Sequence, residues 1–207
     1  MEAKRSIITL GHWPQSTGKP EPIQWLVLEQ QEQTALCLSR MILDAQPYHR
    51  DGGATSWKDC SLRRWLNEEF LPAAFSPQEQ ARILPTPLQS PGGETVDRIF
   101  LLAPPADWPD YNMMEDSEDY YSFPPEDCAM TTPYARERGA WFVEDPGPDQ
   151  YLGSWCIRYP GVLLHDNPRP DYTSSVNFDG HIEAVAQETE SLDGIRPAIR
   201  LSVPPVQ

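Results

Sequence analysis

Short apolar runs alternate with polar turns at the start of the chain, and this pattern predicts β-strands. The runs are Ser6–Leu10, Ile23–Glu29 and Thr34–Ser39, and the polar residues Gln30–Gln33 predict a hairpin between the last two. The second run is apolar at both odd and even positions. It is therefore predicted to be a central strand that is covered on both faces.

Two segments after these strands have the spacing and the end signals of helices. In the first, apolar residues recur at helical spacing over Leu62–Phe70, with Ser61 as the predicted N-cap and Pro72 as the predicted end. In the second, Ser76–Glu79 predicts a capping box with proline at the first helical position. This second helix is predicted to reach about Ile83.

Further along the chain, an apolar run and a proline-started turn predict two more elements. The run Val96–Leu102 predicts one buried strand. A short helix is predicted over Tyr134–Arg138, which follows Thr132 and Pro133 and ends at Gly139.

The last third of the chain contains three strand-like runs separated by polar and aromatic loops. They are Trp155–Gly161, Val176–Ile182 and Gly194–Leu201. Within the second run, Asp179-Gly180 predicts a two-residue hairpin turn, because the type I′ turn needs positive φ at both central positions.

Large apolar side chains within these elements form the predicted core, together with two arginines. Arg158 and Arg196 lie inside strand patterns, so each is predicted to be buried against carboxylate or carbonyl partners. The predicted core residues are Trp25, Leu26, Trp65, Leu66, Phe70, Phe100, Leu101, Trp155 and Ile199.

The composition predicts a folded, loop-rich and strongly acidic protein. Seven tryptophans and eight tyrosines argue against disorder, and 23 prolines argue against a helical bundle. No repeat or compositional break marks a linker, so one domain over residues 1–207 is expected. With 16 lysines and arginines against 31 aspartates and glutamates, the formal charge is −15. Such a surface repels phosphates, which argues against nucleic acid and anionic membranes as partners.

The N-terminal residues and the hydropathy of the chain lead to an expected location in the cytoplasm. Met1–Leu10 lacks the apolar core and the cleavage site of a signal peptide. No run approaches the 18 apolar residues that a membrane span needs, and the four cysteines are scattered.

Some residues of the sequence could bind a metal ion or take part in catalysis, but each has a simpler interpretation. The segment Pro104–Asp127 holds eight acidic and no basic residues, and Glu115, Asp116, Glu118 and Asp119 could offer oxygens to calcium. The EF-hand pattern is absent, however, and a solvated acidic loop is the simpler interpretation. Cys156 follows a tryptophan in a predicted strand, where a thiol is more often packed than activated. No cofactor, metal site or catalytic residue is therefore predicted.

The loops of the last third have the composition of a recognition surface. Tyrosine supplies contact area at low entropic cost, while asparagine, aspartate and serine supply adaptable hydrogen bonds. An ordinary polar connection is the alternative. The predicted binding residues are Arg158, Tyr159, His165, Asp166, Asn167, Tyr172 and Asn177.

Four segments resemble a bacterial domain family of unknown function. They are Pro22–Leu28, Ile42–Tyr48, Cys60–Asn67 and Gly194–Leu201. That family looks like a variant of the C-type lectin fold. Its final third is similar to formylglycine-generating (sulfatase-modifying) enzymes and to the variable proteins of diversity-generating retroelements. The resemblance implies an α+β, C-type-lectin-like domain with a mostly antiparallel sheet, paired N- and C-terminal strands, two main helices and long loops.

One departure from the enzymatic relatives bears on function. Their oxidase chemistry uses two cysteines close together on a C-terminal strand, whereas here Cys156 is followed five residues later by Gly161. The resemblance thus implies a scaffold without the cysteine pair, and the loops that bind ligands in the retroelement proteins correspond to residues 159–177.

The expected function is a non-catalytic module that binds a protein or a small molecule. The alternative is an enzyme that uses Cys156 or a metal at the acidic loop. A third possibility is an assembly component whose aromatic residues of 108–123 contact a neighbouring subunit.

Overall fold

The computed structural model describes most of the chain, with gaps in the acidic segment and in the C-terminal loops. The described residues are 5–16, 18–51, 55–90, 92–103, 130–140, 142–145, 150–158, 162–164, 167–169, 172–176, 182–186, 192 and 194–203. Every structural statement below concerns these residues.

The architecture is α+β, with short strands and few, short helices. The strands in chain order are β1 (Ile7–Pro14), β2 (Pro20–Gln31), β3 (Thr34–Ser39), β4 (Met41–Ile42), β5 (Asp44–Ala45), β6 (Thr86–Leu88), β7 (Thr95–Asp97), β8 (Ile99–Phe100), β9 (Met130–Thr131), β10 (Phe142–Asp145), β11 (Gln150–Gly153), β12 (Trp155–Cys156), β13 (Val162–Leu164), β14 (Asn167–Arg169), β15 (Tyr172–Val176), β16 (Ile182–Ala186), β17 (Gly194–Ile195) and β18 (Ala198–Ser202). The helical segments are α1 (Ser61–Arg64), a π-helix (Trp65–Phe70), α2 (Leu71–Ala74), α3 (Pro77–Gln80) and α4 (Pro133–Glu137).

The first sheet joins both ends of the chain and has the antiparallel order β1-β2-β3-β18-β8. The hairpin predicted between β2 and β3 is confirmed, and β2 lies inside the sheet as expected. The last strand pairs with β3, for example Ile199 with Cys37, and not with the first strand. The predicted pairing of the chain ends is correct at the level of the sheet, but β1 lies at the edge of the sheet, and β2 and β3 separate it from β18.

Two further sheets carry most of the other strands, while β6-β7 and β13-β14 form two-stranded sheets of their own. The orders of the two larger sheets are β16-β15-β12-β17-β5 and β10-β11-β9-β4, and most neighbours are antiparallel. The neighbours β12 and β17 are parallel, with Trp155 opposite Gly194. A side chain at Gly194 would meet Ile42 and the Ser154 carbonyl oxygen, so the close approach of these strands requires glycine.

The first helix is longer than the sequence predicts. The Cys60 thiol, not Ser61, caps it by accepting a hydrogen bond from the Arg63 amide. The helix then widens into a π turn, in which the Leu71 amide bonds to the Leu66 carbonyl five residues back. This wider turn leaves room for the Pro72 ring at the start of α2, where a missing N–H costs little, so Pro72 does not end the helix.

The other helix predictions are largely confirmed. Ser76 and Glu79 form the predicted capping box with Pro77 at the first turn, although α3 ends at Gln80, before Ile83. Thr132 caps α4 as expected, and Gly139 follows it with φ of 97°.

The predicted strand over residues 96–102 is in fact two strands in different sheets. β7 pairs with β6, while β8 pairs with β18. The chain breaks between them because the Asn67 side chain accepts hydrogen bonds from the amides of Arg98 (3.0 Å) and Ile99 (3.2 Å). Its amide nitrogen also donates to the Ile99 carbonyl at 2.9 Å. Asn67 thus binds the Ile99 backbone as a neighbouring strand would.

All of the predicted core residues are buried. Trp25 is fully buried, and its indole nitrogen donates to the Leu10 carbonyl at 2.8 Å. Around it, Trp13, Trp65, Phe70 and Phe75 form a series of tilted and edge-to-face ring contacts. These aromatic side chains therefore join the first sheet to the helical segments between Ser61 and Ala74.

Candidate binding site

Two buried arginines belong to the segments that carry the C-terminal strands. Arg196 is fully buried, donates from Nε to the Ser39 carbonyl at 2.9 Å, and lies 5.0 Å from the centre of the Trp155 ring. Arg158 is 7% exposed and donates from Nε to the Leu101 carbonyl at 3.3 Å. The prediction that both arginines are buried against carbonyl partners is confirmed.

Arg158 fixes the chain where it leaves β12. Its Nη1 donates to the Gln89 carbonyl, and its own amide donates to the Leu102 carbonyl at 2.6 Å. Burial lowers the pKa of the Arg158 guanidinium below its ordinary value. The side chain is therefore bound to the main chain of two other segments and does not face solvent.

The loops predicted to bind a ligand leave from and return to one pair of strands. β12 pairs directly with β15, with Trp155 opposite Val176 and Cys156 opposite Ser175. Between them the chain forms the hairpin β13–β14, in which Val162 lies opposite Arg169. Because β12 and β15 are neighbours in one sheet, the sheet fixes both ends of the segment between them.

The second hairpin, β15–β16, is longer than the two-residue strand β12 and extends beyond it. Tyr172 lies opposite Ala186 and Val176 opposite Ile182. The two-residue turn predicted at Asp179-Gly180 lies outside the described residues.

The predicted binding residues fall into three groups. Arg158 is an anchor within the scaffold. Asn167 and Tyr172 are the first residues of β14 and β15. The remaining four lie outside the described residues: Tyr159, His165, Asp166 and Asn177.

A second surface feature, which the sequence did not predict, precedes β12 in the chain. The Arg136 guanidinium lies 3.5 Å from the centre of the Tyr151 ring and 5.3 Å from that of Phe142. The two rings meet edge to face at 5.5 Å, and Phe142 is 39% exposed. We call Arg136, Phe142 and Tyr151 the arginine–aromatic cluster. Arginine and aromatic residues are enriched at the energetically important positions of interfaces.

A buried carboxylate binds the end of α4, the helix that contains Arg136 of this cluster. Asp44 is almost fully buried, and its Oδ1 accepts hydrogen bonds from the Ala45 amide (2.7 Å) and from Arg138 Nε (2.5 Å). Burial raises the pKa of the Asp44 carboxyl, while the bond from Arg138 opposes that rise. The pair joins β5 to the end of α4.

The described cysteines are buried and carry no disulfide. Burial raises the pKa of Cys37 to about 11 and that of Cys60 to about 11. Cys156 is 3% exposed. Both Cys60 and Cys156 are near enough to Tyr48 to help raise the pKa of its hydroxyl, although burial is the larger cause. The sequence places no second cysteine close to Cys156 along the chain, whereas in the fold Cys60 and Cys156 both act on the pKa of Tyr48.

We expect the described thiols of the native protein to react slowly at pH 7. With a pKa of about 11, only ~1 in 10⁴ of the Cys37 or Cys60 thiols is ionised, against a few per cent of a free cysteine. Native labelling with iodoacetamide followed by peptide mass spectrometry should show at least ~100-fold slower modification than in urea. Fast labelling of Cys156 alone would contradict this and would favour an enzyme.

Neither a metal site nor a membrane span is found within the described residues. No three histidine, cysteine, aspartate or glutamate side chains there are grouped so as to hold a metal ion. None of the helices there has the length and apolar character that a bilayer span requires. The acidic residues considered for calcium, and the aromatic residues of 108–123, lie outside the described part of the chain.

Comparison with known families assigns most of the chain to one family. The model of a family described as Domain of unknown function (DUF6273) matches residues 32–203. The chain belongs to this family. The match to DUF6273 begins just before β3 and ends just after β18, so it includes both buried arginines and both C-terminal hairpins. No curated protein and no solved structure matches the chain.

Proposed function

We propose that this DUF6273 protein is a non-catalytic binding module that holds a protein or a small molecule on its C-terminal loops. The observation that carries the proposal is the direct pairing of β12 with β15. The intervening segment, residues 157–171, contains one tyrosine, one asparagine and two aspartates, and it leaves from and returns to one pair of strands. Loops mounted in this way on a fixed scaffold are the usual location of binding residues.

The scaffold of the proposal is a C-type-lectin-like domain. The sequence resemblance implies this fold, and a C-terminal strand that joins the N-terminal sheet is consistent with it. The contacts to the ligand are assigned to the predicted loop residues other than Arg158, because the Arg158 side chain is already bound to Leu101 and Gln89. They are Tyr159, His165, Asp166, Asn167, Tyr172 and Asn177.

The arginine–aromatic cluster is a second contribution to the same proposed surface. β11, which contains Tyr151, is separated from β12 by Ser154 alone. An exposed phenylalanine beside a stacked arginine and tyrosine offers apolar area together with hydrogen-bond donors. The net charge of −15 favours a neutral or basic partner, and nucleic acid and anionic membranes are not proposed as partners.

The test compares affinity capture by the wild-type protein and by the double variant Tyr159→Ala/Tyr172→Ala. Extracts of the native host are passed over each immobilised protein, and retained proteins and metabolites are quantified by mass spectrometry. We expect a specific ligand to be retained at least ~10-fold less by the double variant, because tyrosines at interface centres often contribute 2 kcal/mol or more.

A matched control keeps this result interpretable. Ile7→Ala removes another exposed apolar side chain, on the edge strand β1 of the first sheet, which pairs with neither β12 nor β15, and should retain the ligand fully. The melting temperature of the double variant should stay close to that of the wild type. Equal retention by all three proteins would refute a binding role for the loops.

The second candidate is an enzyme related to the formylglycine-generating group. The feature in its favour is that, after burial as the larger cause, Cys60 and Cys156 both raise the pKa of the Tyr48 hydroxyl. Elemental analysis of the purified protein separates the two proposals. Stoichiometric copper or calcium, together with a reactive Cys156, would favour the enzyme.

A further inference from the structure

A small polar pocket lies in the N-terminal sheet, in a part of the chain that the proposed function does not use. Its cavity has a volume of about 210 Å³. Ligand sites for drug-sized molecules measure roughly 300–1,000 Å³, so this pocket suits a smaller molecule. The residues that line it are Gln15, Glu21, Pro22, Gln24, Arg40, Met41 and Leu43.

Arg40 supplies the positive side of the pocket and is held in place by Gln24. The Arg40 amide donates to the Gln24 carbonyl at 2.8 Å, and its Nη1 donates to Gln24 Oε1 at 2.7 Å. Arg40 forms no ion pair with any described residue. Its other guanidinium donors therefore remain for a ligand, and a carboxylate is the group that matches their planar geometry.

Gln15 and Glu21 supply the acceptor side. Gln15 Nε2 donates to the carbonyls of Glu21 (3.2 Å) and Pro22 (3.1 Å), which fixes the side-chain amide and leaves Oε1 as an acceptor. The Glu21 carboxylate accepts two hydrogen bonds from Ser16, both at 2.7 Å, and is thereby fixed as well. The Gln15 amide oxygen is thus positioned before any ligand arrives, and the Glu21 carboxylate adds a negative charge to the same lining.

The other residues of the lining are apolar. Met41 and Leu43 are half-buried and buried, and Pro22 is the third apolar residue of the lining. A ligand that fits has a carboxylate at one end, a positively charged hydrogen-bond donor beside it and a short apolar side chain. We propose that this pocket binds a small α-amino acid, with its carboxylate on Arg40 and its ammonium group near Gln15 and Glu21.

The test uses L-alanine and L-valine as probes, followed by NMR of the ¹³C-labelled methionine methyl groups and the arginine Nε–H signals. We expect saturable shifts of the Met41 methyl and the Arg40 Nε–H on titration with each amino acid up to about 50 mM. L-alaninamide, which keeps the ammonium group but lacks the carboxylate, should bind at least ~10-fold more weakly.

Two charge-matched variants decide whether Arg40 is responsible. Arg40→Gln should weaken binding at least ~10-fold, whereas Arg64→Gln, which removes an exposed arginine on α1 that does not line the pocket, should change it less than ~2-fold. The proposal is overturned by the absence of saturable shifts, by equal binding of L-alaninamide, or by equal losses in both variants. None of these outcomes bears on the C-terminal loops, so the two proposals stand or fall separately.

Discussion

Replacing Asp97 by alanine is expected to lower the free energy of unfolding by about 3–5 kcal/mol. The carboxylate is 2% exposed and accepts hydrogen bonds from three side chains. Its Oδ2 accepts from Trp57 Nε1 and Thr95 Oγ1, both at 2.9 Å, and its Oδ1 accepts from Arg63 Nε at 2.8 Å. Without the carboxylate, a partly buried cation and a buried indole N–H lose their acceptor at once.

Urea denaturation of the purified variants measures this effect. Asp59→Ala removes an exposed carboxylate whose one recorded side-chain bond is to Ser56, so it should change stability by less than about 0.5 kcal/mol. Asp97→Asn keeps the shape but places an amide N–H among donors, and should lie between the two. A loss below 1 kcal/mol in Asp97→Ala would show that the three bonds are dispensable.

Replacing Arg158 by alanine is expected to destabilise the protein by about 2–4 kcal/mol, because it leaves the buried Leu101 carbonyl and the partly buried Gln89 carbonyl without this donor and opens a cavity beside β12. Arg158→Lys should recover little of this loss, since one ammonium group cannot reproduce the bonds to Leu101 and Gln89 from separate nitrogens. Thermal denaturation with limited proteolysis measures both consequences, and cleavage between residues 159 and 171 should become faster.

This experiment also separates the two roles considered for Arg158. Arg64→Ala serves as the control, because Arg64 is exposed and its loss should leave the melting temperature nearly unchanged. If Arg158→Ala keeps the wild-type melting temperature but loses the ligand, then Arg158 is a contact residue and not an anchor.

Local features of the fold could be predicted from the sequence because each depends on neighbouring residues. The Ser76–Glu79 capping box, the Thr132 cap and the β2–β3 hairpin are all formed by side chains or turns within a few residues of one another. The core positions were also predictable, because a large apolar residue in a periodic pattern is buried whichever element covers it.

The errors occur where a side chain from a distant segment changes the local outcome. Asn67 splits one predicted strand into β7 and β8 by bonding to Ile99, and the π turn lets the helix pass through Pro72. The arginine–aromatic cluster likewise combines a helix with a hairpin that had no strand pattern of its own. No periodicity within a single segment contains this information.

The order of residues along the chain was enough to specify which side chains are buried, where α3 is capped, and that both ends join one sheet. Only the folded structure decided that the last strand lies beside β3, that Arg158 bonds to two carbonyls, and that Cys60 approaches the same tyrosine as Cys156. Burial follows from the chemistry of each residue and its immediate neighbours. Pairing between distant segments depends on which of many possible contacts fit together in three dimensions, and that choice is made by the packing of the whole molecule.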